Sequence, residues 1–143
     1  MAHTFQLEIA TPERLLVREQ VASAQIPAEK GYLGVLPDHA PLFAQLGIGA
    51  LSWESEANRN VTVLVCQGFI EVRDNQVRVL ADAAEFGSEI DLGRAEKDLA
   101  EAQEQMAHQG PDADVAAILI RHRKAVARVE AAQKAAGDAR PLR

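Results

Sequence analysis

The chain has 143 residues, of which 48% are hydrophobic and only 4% aromatic, and carries a formal net charge of -6. That length holds one ordinary domain or two small ones, while the acidic balance and the scarcity of aromatic rings argue against a nucleic-acid binder, which needs a cationic surface and stacking platforms. A single cysteine, Cys66, excludes an internal disulfide and a cysteine zinc cluster, and no apolar run approaches the ~18 residues that cross a bilayer, so direct membrane insertion is not expected.

The opening Met1-Ala2-His3-Thr4 shows neither a basic stretch followed by an apolar one nor an Arg- and Ser-rich segment. The chain is therefore expected in the cytoplasm, reaching a membrane only through a partner. Phe5, Leu7 and Ile9 alternate with Gln6 and Glu8, the period of a half-buried strand, until Thr11-Pro12-Glu13 breaks it. Residues 15–17 and 21–26 read as two more short strands. Residues 31–42 run Gly-Tyr-Leu-Gly-Val-Leu-Pro-Asp-His-Ala-Pro-Leu. Two glycines and two prolines among apolar side chains predict a shaped loop, which presents a surface to a partner or turns a tight corner.

Residues 42–51 are apolar and contain Gly47 and Gly49, the mark of a bent strand or a corner. They lead through residues 51–54 to a polar turn at Ala57-Asn58-Arg59-Asn60. The continuous apolar run over 61–66 predicts a strand buried on both faces, which makes Cys66 a buried small hydrophobe. A strand over 68–73, a two-residue turn at Asp74-Asn75 and a strand over 76–81, with Val77 and Val79 on one face, complete a meander. Strands this short at this spacing predict a β-sandwich or flattened barrel of about ten short strands over residues 1–84.

From residue 85 onward the β-branched alternation stops and Ala, Glu, Gln, Lys and Arg dominate. Asp91 is placed to cap a helix whose seam is Leu92, Ala95, Leu99, Ala102 and Met106. Gly110-Pro111 ends it, and Asp112 or Asp114 caps a second helix with the seam Val115, Ile118, Leu119, His122, Val126 and Val129. Residues 85–143 are thus expected to form an antiparallel two-helix hairpin with a disordered tail at 137–143. The fold class is α+β. Residues 85–110 hold seven acidic and two basic side chains, and residues 111–143 seven basic and four acidic, so the two helices complement each other in charge. Most such charges are solvated faces, but Arg121, Arg123, Lys124 and Arg128 form a basic excess suited to an acidic partner. Alanine-rich seams bury little area. The hairpin is therefore expected to be able to leave the sandwich, the alternative being permanent packing on it.

No nucleophile elbow, Walker loop or His-Glu-x-x-His motif occurs, and the four histidines, His3, His39, His108 and His122, do not share metal-ligand spacing. Asp38 and His39 are adjacent, which on an extended backbone rarely lets side chains face one another. Neither a catalytic residue nor a metal site is expected, and a small hydrolase built on that pair is a poor reading. Ile90-Asp91-Leu92-Gly93-Arg94-Ala95 reads either as a helix start or as part of an anion site, in which Arg94 reaches a phosphate and Asp91 and Glu85 accept from a base or ribose.

The loop Gly31-x-Leu33-Gly34-Val35-Leu36-Pro37-x-His39-Ala40-Pro41-Leu42 resembles the signature loop of the epsilon subunit of bacterial F-type ATP synthase. Gly68-Phe69-Ile70-Glu71-Val72 is similar to a second motif, with Gln67 where that family has another glycine, and Ile90-Asp91-x-x-Arg94-Ala95 resembles the nucleotide motif of some members. The resemblance implies a non-catalytic rotor subunit on the cytoplasmic side of the bacterial inner membrane. Its sandwich would clamp the gamma subunit of the central stalk and sit on the c-subunit ring, coupling proton-driven rotation to ATP synthesis. Tyr32, His39 and Pro41 would lie at that interface. The hairpin, through Arg121 and Arg123, would engage the catalytic alpha and beta subunits and inhibit ATP hydrolysis. It further implies an adenine nucleotide site of Glu85, Ile90, Asp91, Arg94, Lys124 and Arg128. Glu101 stands where other members have a basic residue, so no cofactor is required and any ATP binding, as a regulator, is weak. Composition and periodicity alone also allow a free-standing β-sandwich binding or chaperone-like module with a helical arm, a reading that gives the signature loop no purpose.

Overall fold

In the computed structural model, which describes residues 3–57 and 59–138, the alternation at the start of the chain makes strand β1 (Phe5–Ala10), with Phe5, Leu7 and Ile9 turned into the core. β2 (Leu15–Ala28), β3 (Gly31–Val35), β4 (Leu42–Ser55), β5 (Asn60–Arg73) and β6 (Gln76–Phe86) follow. A 3₁₀ turn (Gly87–Glu89) then leads to helices α1 (Leu92–Ala107) and α2 (Val115–Ala135). The strands lie in the order β1-β6-β5-β4-β2-β3, and β1 also pairs with β2, which closes the sheet into a flattened barrel. Only the β1–β6 pair is parallel. Closure removes most of the free strand edge that would invite aggregation.

The α+β architecture agrees with the expectation, but there are six strands, four of them 11–14 residues long, rather than about ten short ones. The segments expected at 15–17 and 21–26 are one strand, as are those within 42–54 and those at 61–66 and 68–73. The reason is a change of phase along β4, β5 and β6. In β5 the core-facing residues are Val61, Val63 and Val65, then Ile70 and Val72. In β4 they are Leu46, then Leu51 and Trp53, and in β6 Val77, Val79 and Ala81, then Phe86. Between the two halves Gln67 and Gly68 take positive φ, 54° and 138°. The ladder keeps its register through this corner. A strand that changes phase looks in sequence like two strands. Only glycine fits at the corner, because a Cβ on Gly68 would stand 1.9 Å from the Leu80 carbonyl oxygen.

The predicted loop at 31–42 is also part strand. Its first five residues are β3, laid antiparallel on β2 with Tyr32 opposite Pro27. The remainder turns at Asp38, whose φ is 62°. Asp74 and Asn75 make the expected tight turn, with φ of 51° and 58°. The Asn75 amide ties that turn down: its Oδ1 accepts from the Asp38 N–H at 2.8 Å and its Nδ2 donates to the Thr4 carbonyl at 2.8 Å.

The barrel interior is one apolar cluster, and a second, smaller one lies outside it, between the sheet and α2. Ala50, Leu64 and Cys66 face outward from β4 and β5 against Ala127, Val129, Ala131 and Ala132. The 61–66 segment is therefore buried on both faces, as its apolar run predicts. Asp91 and Asp114 cap the helices, accepting from the Arg94 and Ala117 N–H groups. The helical seams differ from expectation. On α1, Ala95 and Ala102 are buried, but Leu92 is exposed. On α2, Ile118 and Val129 are buried while Val115 and Leu119 are exposed, and the buried face runs instead through Ala125, Ala127, Ala131, Ala132 and Ala135. The cause is proximity: a Cβ on Gly87 would lie 2.6 Å from the Ala131 carbonyl oxygen and 2.7 Å from the Ala135 methyl. Where α2 passes the turn, at Ala131 and Ala135, there is room only for methyl groups. β6 continues past residue 84 to Phe86, whose ring belongs to the barrel core. Of the tail expected at 137–143, residues 139–143 lie outside the described residues.

Replacing Gly68 by alanine forces a side chain into the Leu80 carbonyl at a positive φ. The expected result is a loss of at least about 2 kcal/mol in chemical denaturation.

Candidate functional site

Two surfaces carry functional chemistry. The first is a cleft of about 430 Å³ between the outer face of the barrel and the hairpin. β5 and β6 supply Leu64, Cys66 and Glu85; α1 supplies Asp98; α2 supplies Arg121, Lys124, Ala125 and Arg128. Positions 121, 124, 125 and 128 are three, four and seven residues apart, so one stripe of α2 faces the cleft. The Arg128 guanidinium meets the Glu85 carboxylate in a two-pronged pair, with Nη1 donating to Oε2 at 2.8 Å and Nη2 donating to Oε1 at 3.2 Å. Arg121 donates to Gln105 Oε1 at 2.6 Å and stands 3.8 Å from Glu101. Lys124 and Asp98 form no hydrogen bond or ion pair with the described residues. Burial pushes the Cys66 thiol above its ordinary range; Lys124 and Arg128 pull it down, and Glu85 and Asp82 push it up. Further along α2, Lys134 donates to Ser52 Oγ at 3.0 Å and ties the helix end to β4.

Of the residues that the sequence assigns to a nucleotide site, the fold brings Glu85, Lys124 and Arg128 together and adds Arg121, Asp98 and Cys66. Ile90 is buried in the cluster beneath α2. Asp91 is the α1 cap, and Arg94 is exposed on the first turn of α1; neither lines the cleft. Arg123 is exposed on α2. Among the described residues no group of His, Cys, Asp and Glu is arranged to hold a metal ion.

The second surface is the lower barrel wall and its adjoining loop. Phe43 and Phe69 stack there, ring centroids 5.5 Å apart, and both are exposed. Phe69 lies opposite Leu80, Leu80 opposite Ala10 and Ala10 opposite Leu15. The row Phe69, Leu80, Ala10 and Leu15 crosses four strands, and Phe43, whose own ladder partner is Glu71, extends it diagonally onto β4; Phe43, Phe69, Leu80 and Leu15 are 47–66% exposed. The row beside it, Glu71, Arg78, Glu8 and Arg18, alternates in charge, with Arg18 and Arg78 2.9 and 3.4 Å from Glu8. Single-sequence reasoning misses the apolar row because its members come from five separate segments; only the exposed Phe69, beside buried Ile70 in the second motif, hints at it. Tyr32 is exposed, its hydroxyl 3.0 Å from where a Cβ on Gly49 would stand. Pro41 is exposed, and His39 Nδ1 donates to the Ala40 carbonyl at 2.8 Å, which turns the ring away from acid–base work with Asp38.

A flattened β-barrel with an exposed apolar wall and a helical hairpin on another face defines a two-part α+β protein. Residues 4–87 match the family described as ATP synthase, Delta/Epsilon chain, beta-sandwich domain. The ATP synthase epsilon chain of Solibacter usitatus is 47% identical over 134 residues, which is 94% of this chain and 99% of that one. The same-named protein of Syntrophomonas wolfei is 37% identical over 131 residues, covering 92% and 96%. The chain belongs to the ATP synthase epsilon chain family. A chain in the structure of the Euglena gracilis mitochondrial ATP synthase (OSCP, F1 and c-ring) superposes with a TM-score of 0.74 at 28% identity, covering 95% of this chain and 82% of that one. One in the Tetrahymena thermophila central stalk and c-ring shares the fold at 15% identity, with a TM-score of 0.54. Among the described residues no helix is long and apolar enough to cross a membrane.

Cys66 is expected to report on the hairpin, because α2 packs over it and burial is the main cause of its raised pKa. Docking is therefore at full strength below the ordinary thiol range and weakens as pH rises through that range toward the raised value. Gly87→Val should push α2 off the turn, and the rate of Cys66 alkylation should rise at least about tenfold at constant pH.

Proposed function

We propose that this chain is a non-catalytic central-stalk subunit of a proton-translocating F-type ATP synthase. Its barrel joins the gamma subunit to the c-subunit ring and couples ring rotation to ATP synthesis, and its hairpin restrains ATP hydrolysis. The observation that carries this is the exposed row of Phe43, Phe69, Leu80, Ala10 and Leu15 on a member of the epsilon chain family. An apolar row across five paired strands is rigid before it binds, so little ordering is lost on association, and burying each large side chain contributes roughly 1.5–3 kcal/mol. The gamma subunit is the assigned occupant of this wall.

The loop bearing Tyr32, His39 and Pro41 is the assigned contact with the c-ring. Asn75 supports that role by anchoring the loop backbone at Asp38. The hairpin is the assigned brake. It touches the barrel through small side chains, one half-exposed ion pair and the Lys134–Ser52 hydrogen bond, a contact weak enough for α2 to leave and present Arg121 and Arg123 to acidic segments of the alpha and beta subunits. Any ATP binding in the cleft, through Lys124 and Arg128 with Glu85, would be weak and would only add to a docked state that forms without it. Ile90, Asp91 and Arg94 would contribute only if the start of α1 moves toward the cleft. The complex would place the chain on the cytoplasmic side of the bacterial inner membrane.

Two experiments test this. Phe43→Ser with Phe69→Ser should weaken binding to the cognate gamma subunit by at least about a hundredfold while changing the unfolding midpoint little, since both rings are exposed; unchanged binding would move the interface elsewhere. In the second, the full chain should slow ATP hydrolysis by a cognate catalytic head that lacks this subunit, whereas a chain ending at Gly87, with the Phe86 ring retained, should bind without slowing it.

A further inference from the structure

The cleft under the hairpin has room for a small polyanion, about 430 Å³, and a cationic stripe to receive one. Its charges are nevertheless balanced from within. Arg121, Lys124 and Arg128 on α2 face Glu85 on β6 and Asp98 and Glu101 on α1, three cations against three carboxylates. The Glu85 carboxylate takes both Nη atoms of Arg128, the same two-point contact that a phosphate would make. Glu101 and Gln105 take Arg121. Lys124 alone of the three is without a partner among the described residues.

We infer that the cleft is occupied by the chain's own carboxylates, with Glu85 standing on Arg128 where an anion would stand. The hairpin then docks without a ligand, and polyphosphate binds appreciably only when a carboxylate is removed. An entering polyanion finds one free ammonium and three carboxylates at close quarters, so charge and not space keeps it out. Displacing Glu85 would also strand a half-buried carboxylate, and the loss of one partner of such a pair is unfavourable beyond the pair's own strength. The pair joins β6 to α2, so the same contact that fills the anion position holds the arm to the barrel. This inference rests on the reading of the hairpin as a movable arm and deepens it: the docked state of this chain is set by an internal ion pair, not by nucleotide supply.

The test uses the full chain, whose only thiol is Cys66. The rate of its reaction with an aromatic disulfide is followed with and without millimolar inorganic tripolyphosphate, while Trp53 emission from the barrel core reports that the barrel stays folded. The unaltered chain should react slowly, and tripolyphosphate should change its rate by less than about twofold. Glu85→Gln should react about threefold to tenfold faster, the population shift expected for losing a half-exposed two-point pair. Tripolyphosphate should slow that variant back toward the original rate, because Arg128 and Lys124 are then both free. Glu85→Ser removes the same β6–α2 pair, should show the same contrast, and serves if Glu85→Gln does not fold. The inference is overturned if tripolyphosphate slows the unaltered chain severalfold, or if both variants react at the original rate. Failure of the functional reading looks different: the unaltered chain then leaves hydrolysis by the catalytic head unchanged while the contrast in thiol reactivity persists. If Gly87→Val also reacts slowly, the arm does not leave the barrel, and the inference and the regulatory reading fall together.

Discussion

The seating of α2 against the turn after β6 is the contact on which the second half of the molecule depends. Gly87 has no side chain, and the Ala131 carbonyl and Ala135 methyl fill the place where one would be. That approach fixes the distance between helix and sheet, and so which α2 residues can be accommodated beneath it. It explains the run of alanines, the covering of Cys66, and the reach that lets Arg128 close on Glu85. A bulkier seam would hold the helix further out and pull the guanidinium away from the carboxylate.

The energetics of this contact differ in kind from those of the barrel. The barrel core is built of Val, Leu, Ile, Phe and one Trp, many fully buried, on strands closed into a ring. The contact under α2 is mostly methyl groups, and each buries much less area than a leucine. The Arg128–Glu85 pair that supplements it is half exposed, where screening leaves it worth on the order of 1 kcal/mol. Such a contact sits within a few kcal/mol of release, the range in which a partner's binding energy shifts a population. The same sparseness that makes the hairpin a poor domain by itself suits it to act as an arm.

The barrel meanwhile separates its two surfaces. Because β4, β5 and β6 change phase at the Gln67–Gly68 corner, the outward residues of their upper halves, such as Leu64 and Cys66, lie under the hairpin. The outward residues of the lower halves, Phe43, Phe69 and Leu80, lie in the open. One continuous sheet thus carries the hairpin above and an apolar wall below, on separate stretches of the same strands. The alternating charges beside the wall are largely balanced among themselves, so the wall is close to neutral on a chain whose net charge is -6.

Local pattern was enough to read much of this molecule. Strict alternation at Phe5, Leu7 and Ile9 reports a strand because side-chain direction has period two. Asp74-Asn75 reports a tight turn because both residues tolerate positive φ, and Asp91 and Asp114 report helix starts because their carboxylates meet free amides. The motifs around residues 31–42 and 68–72 were enough for the family. Tertiary structure decided whatever depends on residues far apart in the chain. It joined short apolar segments into longer strands, bending β5 at Gly68 and β2 at bulges instead of breaking them. It chose the alanine face of α2 over the face with Val115 and Leu119, because close approach to Gly87 admits only methyls. It assembled the apolar row from five strands, and it set Glu85 on Arg128, 43 residues away. Periodicity within a segment is a property of the local backbone and can be read from sequence, whereas juxtaposition across the sheet and beneath the helix exists only once the chain has closed.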